Sequence, residues 1–331
     1  MGKIEIDHTG SGGGITLSSD GTSLLLGGTA IGGSALELYA ENPSSPTAPS
    51  ATGTNAVAIG SSASATSSDA FAFGYGAIAT HWQTLALGTS RAFAADAVAI
   101  HIDNNSTSYG ASRANSIAMG YVAKATGSRS VAIGGSANTA DGSDSVAIGG
   151  KNNTAGTIAN GYAIASGYDS HAEGEYSMAF GNRGRALEHN KYAHGMYPIG
   201  SQYGRLVLKA ETTDATATVM ISGGVSASTD NQLVLSNNSA FAFHGTIVSR
   251  QQTSVGTASA AWKIEGLIRR EGSASTTTLV NSATTVLDNT PSWGMALSAD
   301  TTNGCLKIEV TGAASTNIRW VATIHTSEVT Y

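Results

Sequence analysis

The sequence predicts an all-β protein whose central part is a parallel β-roll with coils of about fourteen residues. Three observations predict it. An apolar–Ala–apolar–Gly phrase recurs between residues 53 and 196, and a fixed short period is the signature of a solenoid. Small residues are abundant, with 41 Gly, and charged residues make up only 12% of the chain. The C-terminal part instead alternates apolar and polar residues between turn-forming residues, which is typical of antiparallel strands.

The repeated phrase explains the period. Copies such as Val131-Ala132-Ile133-Gly134 place bulky residues at i and i+2 with Ala between them, which is the alternation of a strand. A short strand and a tight turn fill seven residues, so two half-repeats make one coil. We expect the bulky residues to form the core of the repeats, with Ala where another wall approaches. They are Val57, Ile59, Phe71, Phe73, Leu85, Leu87, Val98, Ile100, Ile117, Met119, Val131, Ile133, Val146, Ile148, Met178 and Phe180.

Glycines close the turns in this interpretation, because Gly tolerates positive φ and a close approach of neighbouring backbone. The predicted turn glycines are Gly60, Gly74, Gly88, Gly120, Gly134, Gly149, Gly174 and Gly181. Irregular spacing predicts two insertions, one near Asp103–Tyr109 and one near Asn152–Asn160.

Four segments follow from composition. Residues 1–40 contain a hairpin pattern, with strands Ile15–Leu17 and Thr22–Leu26 around an Asp-Gly turn, and are expected to attach the protein to a larger particle. Residues 41–52 hold three of the five prolines and are predicted to be a linker. Residues 53–196 are the roll, and residues 197–331 a C-terminal β domain.

The C-terminal domain is predicted to be an antiparallel β-sandwich or jelly-roll-like module. Trp262, Trp293 and Trp320 fall within strand patterns and are expected in its core, and Cys305 is expected to be buried as a small apolar residue. The candidate strands are Arg205–Ala210, Thr216–Ile221, Gln232–Leu235, Phe241–Arg250, Ala261–Arg269, Thr277–Leu279, Trp293–Ala299, Cys305–Thr311 and Ile318–Val329.

Phrases such as Asn55-Ala56-Val57-Ala58-Ile59-Gly60 and Arg129-Ser130-Val131-Ala132-Ile133-Gly134 resemble the head repeats of trimeric autotransporter adhesins. The resemblance covers some 140 residues. It implies left-handed parallel β-rolls that associate in threes. Similar repeats occur in bacteriophage tail fibres, and the C-terminal segments around 206–216 and 299–304 resemble C-terminal domains of phage structural proteins.

The sequence offers no strong chemical site. His171, Glu173 and Glu175 lie near His189 and His194, but their spacing matches no familiar ligand pattern, so we predict no metal, no cofactor and no catalytic residue. A carboxylate pair for glycan cleavage is assembled in space, which leaves a tailspike-type polysaccharide depolymerase as an alternative. The net charge of −6 without a basic stripe argues against nucleic-acid binding, and no apolar run is long enough for membrane insertion.

Four aromatic residues are candidates for contact with a ligand, because they lie in turns or in an insertion: Tyr75, Trp82, Tyr109 and Tyr121. Aromatic rings in such places stack on sugar faces. The alternative, that they cap the roll or pack between subunits, is equally open.

The expected function is that of a non-enzymatic structural and adhesive virion protein, a homotrimeric phage tail fibre made in the host cytoplasm. Its expected partners are its own copies, other virion proteins of tail or capsid, and a bacterial cell-surface glycan or protein receptor. A capsid-attached fibre or decoration protein is the alternative within the same class. The varied C-terminal loops are expected to carry recognition.

Overall fold

The computed structural model describes four strands within the first 31 residues and residues 47–103, 109–157, 159–196, 200–252, 256–288 and 292–331. The N-terminal strands form an antiparallel sheet in sequential order, and β2 pairs with β3, which confirms the predicted hairpin. They are β1 (Ile4–Ile6), β2 (Ile15–Ser19), β3 (Leu24–Leu26) and β4 (Thr29–Ile31). Most of the predicted linker, residues 41–46, lies outside the described residues.

The roll alternates short odd-numbered strands with longer even-numbered strands. They are β5 (Ser50–Ala51), β6 (Val57–Ile59), β7 (Ser64–Ala65), β8 (Phe71–Phe73), β9 (Ile78–Ala79), β10 (Leu85–Leu87), β11 (Arg91–Ala92), β12 (Val98–Ile100), β13 (Gly110–Ala111), β14 (Ile117–Tyr121), β15 (Lys124–Ala125), β16 (Val131–Ser136), β17 (Thr139–Ala140), β18 (Val146–Lys151), β19 (Thr154–Ala155), β20 (Ile164–Tyr168), β21 (His171–Ala172), β22 (Met178–Asn182), β23 (Arg185–Ala186) and β24 (Tyr192–Met196).

Each set of strands forms one wall of parallel strands. In each wall, a residue pairs with the equivalent residue of the next coil. Ala132 pairs with Ala147 in the long wall, and Ala125 pairs with Ala140 in the short wall. Within the described residues the short wall has ten strands, in agreement with the roughly ten coils that the period predicts. Its first strand, Ser50–Ala51, already pairs with β7, so the roll begins inside the predicted linker 41–52.

The core of the roll consists of alanine, and the prediction that the bulky residues form it is wrong. The central Ala of the long strands from β8 onward and the Ala of the short strands from β7 onward are fully buried. None of the predicted core residues is buried, and Phe71, Ile148 and Met178 are 39–41% exposed. The outward-facing residues are Val57, Ile59, Phe71, Phe73, Leu85, Leu87, Val98, Ile100, Ile117, Met119, Val131, Ile133, Val146, Ile148, Met178 and Phe180.

The reason is the thickness of the coil. Two strands joined by tight turns within about fourteen residues hold their walls so close that a methyl group fills the gap. Because side chains alternate along a strand, an inward Ala forces both of its bulky neighbours outward.

Polar side chains fill the corners of the roll between the walls. Asn138 and Asn153 are fully buried, and the Asn153 amide donates to the Asn138 carbonyl oxygen at 2.9 Å. Asn138 also donates to the backbone carbonyl of Gly149 at 3.1 Å. These bonds satisfy the buried backbone of the turns, as burial requires.

Seven of the eight predicted turn glycines come directly after an apolar–Ala–apolar triplet and have positive φ, and four of the seven lie within the long strand itself. Gly60, Gly74, Gly88, Gly120, Gly134, Gly149 and Gly181 lie between +71° and +134°. Gly174 differs, because it lies at the opposite corner, where an added Cβ would fall 2.2 Å from the carbonyl oxygen of Glu188. The second predicted insertion lies after Ala155, before β20, and the core of the first, residues 104–108, falls outside the described residues.

The C-terminal domain is a sandwich of two antiparallel sheets, and its strands match all nine predicted ones. One sheet has the order β30-β29-β28-β33-β25, and the other has β26-β32-β27 with β31 beside β32. They are β25 (Ser201–Thr212), β26 (Thr218–Val219), β27 (Leu233–Val234), β28 (Ser239–Gln251), β29 (Ser259–Arg270), β30 (Thr278–Asp288), β31 (Gly294–Asp300), β32 (Cys305–Thr311) and β33 (Ile318–Thr330), with a single-turn 3₁₀ helix at Ala274–Thr276.

The predicted tryptophans lie in the sandwich core, as expected. Trp320 is fully buried between Trp262 and Trp293, with both ring centroids at 5.8 Å, and its indole N–H donates to Thr212 Oγ1 at 3.0 Å. Cys305 is buried beside this core, and burial raises the pKa of its thiol to about 12. The thiol is therefore a structural group and not a nucleophile.

The roll and the sandwich share one sheet. The last long strand, β24, pairs antiparallel with β25, which extends the long wall into a continuous 15-stranded sheet. One face of this sheet covers the Ala core and then the sandwich core, and the other face is exposed along both domains.

Candidate interaction surfaces

The exposed face of the long wall carries the outer ladder, which we define as the bulky residues that flank each central Ala. Cross-strand pairs keep the ladder in register from coil to coil, for example Val131 with Val146 and Ile133 with Ile148. The result is an apolar stripe along most of the roll, in which Ser166 of β20 and His194 of β24 are the polar members. Contiguous apolar surface of this extent marks an interaction site.

The stripe continues across the junction as an aromatic row of Phe180, Tyr192, Tyr203, His325 and His244. Successive ring centroids are 5.5, 6.2, 6.0 and 5.3 Å apart. The Tyr203 hydroxyl is 2.7 Å from His325 Nδ1. Desolvation, together with the neighbouring His244 and Arg205, lowers the pKa of His325, so its imidazole stays neutral at pH 7. Beyond this row the exposed face of the sandwich sheet carries charged side chains, among them Arg205, Lys209 and Lys263.

Behind this face, three charged residues are buried at the junction: Glu188, Lys191 and Glu328. Lys191 Nζ lies 3.1 Å from Glu188 Oε1 and 3.3 Å from Glu328 Oε1. Thr326 Oγ1 donates to Glu328 at 2.6 Å, and Gln202 Nε2 also donates to that carboxylate. The cluster borders a cavity of about 380 Å³. Sequence reasoning missed it because its members are up to 140 residues apart in the chain.

Burial sets the protonation of this cluster. Burial raises the pKa of Glu188, and the negative charge of Glu328 raises it further. Lys191 lowers this pKa but offsets only part of the rise. Burial also disfavours the charged form of Lys191, but the two carboxylates outweigh it and raise the pKa of Lys191. The electrostatic free energy of two carboxyl groups and one ammonium group in a buried site is most favourable when one of the carboxyl groups is protonated.

The four predicted aromatic candidates are divided between different environments. Tyr75 and Trp82 are exposed in turns of the roll, and Tyr121 is exposed at the end of β14. Trp82 lies at the opposite corner from the other two. Tyr109 is partly buried and packs against the alanine core, which favours the packing alternative for this residue, and its contact with a ligand stays a prediction.

A further aromatic pair, Tyr162 and Tyr176, was missed by sequence reasoning. Their rings stack at 5.0 Å with an interplanar angle of 13°, and the side chains are 49% and 52% exposed. Both occupy the position two residues before a long strand. Aligning the repeats on that position, rather than on the glycines, would have found the pair.

Two histidines near residue 180 lie beside separate carboxylates. His171 lies 3.4 Å from Asp169 and 3.3 Å from Glu173, while His189 lies 3.9 Å from Glu175. Within the part of the chain that the structure describes, no group of three or more metal-ligating side chains has the arrangement of a metal site. The described residues also include no helix with the length and apolarity needed to cross a membrane.

Comparison with known families agrees with the repeat geometry. The YadA head domain repeat matches residues 51–77, 111–137, 135–152 and 160–183, all inside the roll. The matched coils are similar to YadA head repeats, in agreement with the resemblance of the repeated phrases to adhesin head repeats. None of the curated proteins matches the chain in sequence.

Two solved structures share a weak likeness with the chain. A tailspike protein from Acinetobacter baumannii bacteriophage Fri1, a capsular polysaccharide depolymerase, is 10% identical, with 81% of this chain and 39% of that chain covered and a TM-score of 0.26. The tailspike protein of Acinetobacter phage vB_ApiP_P1 is 11% identical over 81% of this chain and 61% of that chain, with a TM-score of 0.17. The chain therefore spans less than two thirds of either protein, and the similarity is too low to assign a function.

Proposed function

We propose that the protein is a structural and adhesive fibre of a bacteriophage virion that attaches the particle to the bacterial surface. The observation that carries the proposal is the continuous 15-stranded sheet, in which YadA head repeats run without a break into a compact sandwich. A stack of hydrogen-bonded coils is stiff along its axis. A stiff spacer fused to a folded end module is the construction that an attachment fibre needs.

The active form in this proposal is a homotrimer. The outer ladder exposes Val, Ile, Leu, Phe and Met along the length of the roll, and soluble monomers avoid such a stripe. Three copies around a common axis bury their stripes against one another, and closed symmetry limits the assembly to a defined number of chains. The trimer thus rests on the outward bulky residues and not on alanine surfaces.

Attachment in this proposal is non-enzymatic, with other virion proteins and a bacterial surface glycan or protein as partners. Three copies of a weak binding site on one fibre give firm attachment, because the first contact raises the effective concentration of the others. In the main proposal the fibre is attached to the tail of the virion. In the alternative it is attached to the capsid.

Two measurements test the proposal together. Antibodies against the full chain should label fibres on intact particles in electron micrographs, at the tail or at the capsid. The purified chain should bind host cells as a trimer and release no reducing ends from host polysaccharide. Absence of labelling, or steady release of saccharide fragments, would contradict the fibre or the non-enzymatic role respectively.

A further inference from the structure

The corner before each long strand of the roll has a left-handed backbone. The residue two positions before the strand has a positive φ in every coil that the structure describes: Asn55, Asp69, Gln83, Asp96, Asn115, Arg129, Asp144, Tyr162, Tyr176 and Asn190. Six of these ten are Asn or Asp, the residues that best tolerate this conformation when Gly is not used. The corner therefore has an evident structural preference.

Tyr162 and Tyr176 depart from that preference in two consecutive coils. Their φ angles are +60° and +58°, a conformation that is unfavourable for a bulky aromatic residue. Half of each side chain nevertheless stays exposed, so the rings are not used to fill a core. Gln83 and Arg129 carry the same positive φ at this corner, so the exposed, stacked pair of rings, and not the backbone, distinguishes these two coils.

The corner forms a straight column, because the backbone N–H at each position donates to the preceding coil. Tyr162 N donates to Ser143 at 2.8 Å, and Asn190 N donates to Glu175 at 2.9 Å. Asp144 therefore lies one coil before the stacked pair, and Asn190 lies one coil after it. Polar side chains thus flank two parallel phenol rings along the edge of the roll.

Charge on this edge is nearly balanced. Arg129 holds Asp144 through two hydrogen bonds of 2.7 Å, which lower the pKa of the Asp144 carboxyl. Glu175 precedes Tyr176 and has only the distant His189 as a partner among the described residues, at 3.9 Å. The edge carries no excess of positive charge, so it is not suited to a polyanion.

We propose that the Tyr162–Tyr176 corner is a binding site for neutral pyranose sugars, hexoses or N-acetylhexosamines, of a bacterial surface polysaccharide. Flat aromatic rings match the C–H faces of pyranoses, and their phenol groups match the hydroxyl groups. The flanking Asp144 already accepts from Arg129 and the Asn190 amide donates to the carbonyl of Ser222, so the two rings carry the site. The inference rests on the proposed adhesive function and adds to it a ligand class and a place on the roll, away from the C-terminal loops.

The test uses the full chain and an array of immobilised bacterial polysaccharides and their neutral and uronate-containing oligosaccharides. The variant Tyr162→Asn/Tyr176→Asn installs the residue that other coils use at this corner. We expect at least a tenfold loss of binding to neutral sugars, with an unchanged molecular mass and a Tm equal to or above that of the parent. Tyr168→Asn is the matched control, because it removes an exposed ring at the opposite corner and installs the residue that the next coil has in register, Asn182. It should bind like the parent.

Several results would overturn the inference. They are an unchanged affinity of the double variant, a parent protein that binds only uronate-containing sugars or none, and a double variant that unfolds clearly earlier or loses its trimeric mass. The last result would make the pair a structural brace or a subunit contact. A parent that still labels particles and binds cells while the array is negative would refute this inference and leave the fibre function intact.

Discussion

Lys191, in the last coil of the roll, and Glu328, in the last strand of the sandwich, form a buried ion pair with 3.3 Å between Nζ and Oε1. The pair joins the two domains across 137 residues of sequence. It lies directly beneath the β24–β25 pairing that makes the sheet continuous. Breaking a buried pair leaves an uncompensated charge, so this contact fixes the joint between the roll and the sandwich.

Replacing the shared ammonium should be severe. In Lys191→Met, two buried carboxylates lose their only cation among the described residues, and we expect a loss of about 3–5 kcal/mol in the free energy of unfolding. Lys263→Met is the matched control, because its ion pair with Glu265 is exposed on both sides. That control should change stability by about 0.5 kcal/mol or less in urea denaturation. Equal effects of the two substitutions would refute the role of the cluster.

Glu188 should make stability depend on pH in a defined direction. Burial raises the pKa of Glu188 above 4.5, so the folded chain retains this proton at pH values where the unfolded chain has lost it. Stability from this group is full below pH 4.5 and falls as the pH rises through the folded pKa. Glu188→Gln removes this loss and leaves Lys191 paired with Glu328. We expect Tm of the variant minus Tm of the parent to increase from pH 4.5 to pH 8, and a flat or decreasing difference would contradict the cluster geometry.

The two sides of the long wall should respond oppositely to added volume. Ala132 is fully buried between the walls, and Leu has no space there, so Ala132→Leu should destabilise the roll by about 1–3 kcal/mol or more. Ile133→Leu changes the shape of a neighbouring outward side chain at constant volume and should cost less than about 1.5 kcal/mol. Comparable losses at both positions would mean that the roll is thicker than its alanine core implies.

The sequence predicts the architecture well because its main determinants are local. Period, strand alternation and turn glycines such as Gly134 are determined within one coil, and the antiparallel strands around Trp320 alternate clearly. The sequence does not predict which side chains of a strand face the core. The alternation of Ala132 and Ile133 is the same whichever of them faces inward, and only the distance between the two walls determines that the small Ala is buried.

The charged cluster depends on a contact that the sequence does not contain, because Lys191 and Glu328 meet only after the chain has folded back on itself. Tyr162 and Tyr176 lie one regular coil apart at the same position before a long strand, so an alignment of the repeats on that position predicts that their rings meet. The composition of single turns identified Tyr75 and Tyr121 instead. Tyr75 lies in a turn, Tyr121 is the last residue of β14, and neither has a ring partner among the described residues.

A charge on the outer ladder should prevent assembly without unfolding the roll. Ile133 is only half-buried in the single chain, so Ile133→Asp leaves the carboxylate accessible to water in a monomer. In a trimer the same carboxylate would be buried in an apolar interface, which costs several kcal/mol. Light scattering should show three chains for the parent and fewer for the variant, with β-sheet circular dichroism retained. A parent that is a stable monomer at micromolar concentration would refute the trimer.

Gly134 provides the most direct test of how tightly the coils stack. Its φ is +132°, and a Cβ there would lie 2.0 Å from the carbonyl oxygen of Gly149 in the next coil, where the opposing atom is backbone and cannot turn away. Gly134→Ala should therefore lower the free energy of unfolding by about 2 kcal/mol or more. Gly272→Ala is the control, since nothing lies within 4 Å of the added methyl group, and it should be neutral or slightly stabilising. Denaturant titration measures the free energy of unfolding of both variants. Equal values would contradict the tight stacking, because the coils would then have to be separated by more than one strand spacing at Gly134.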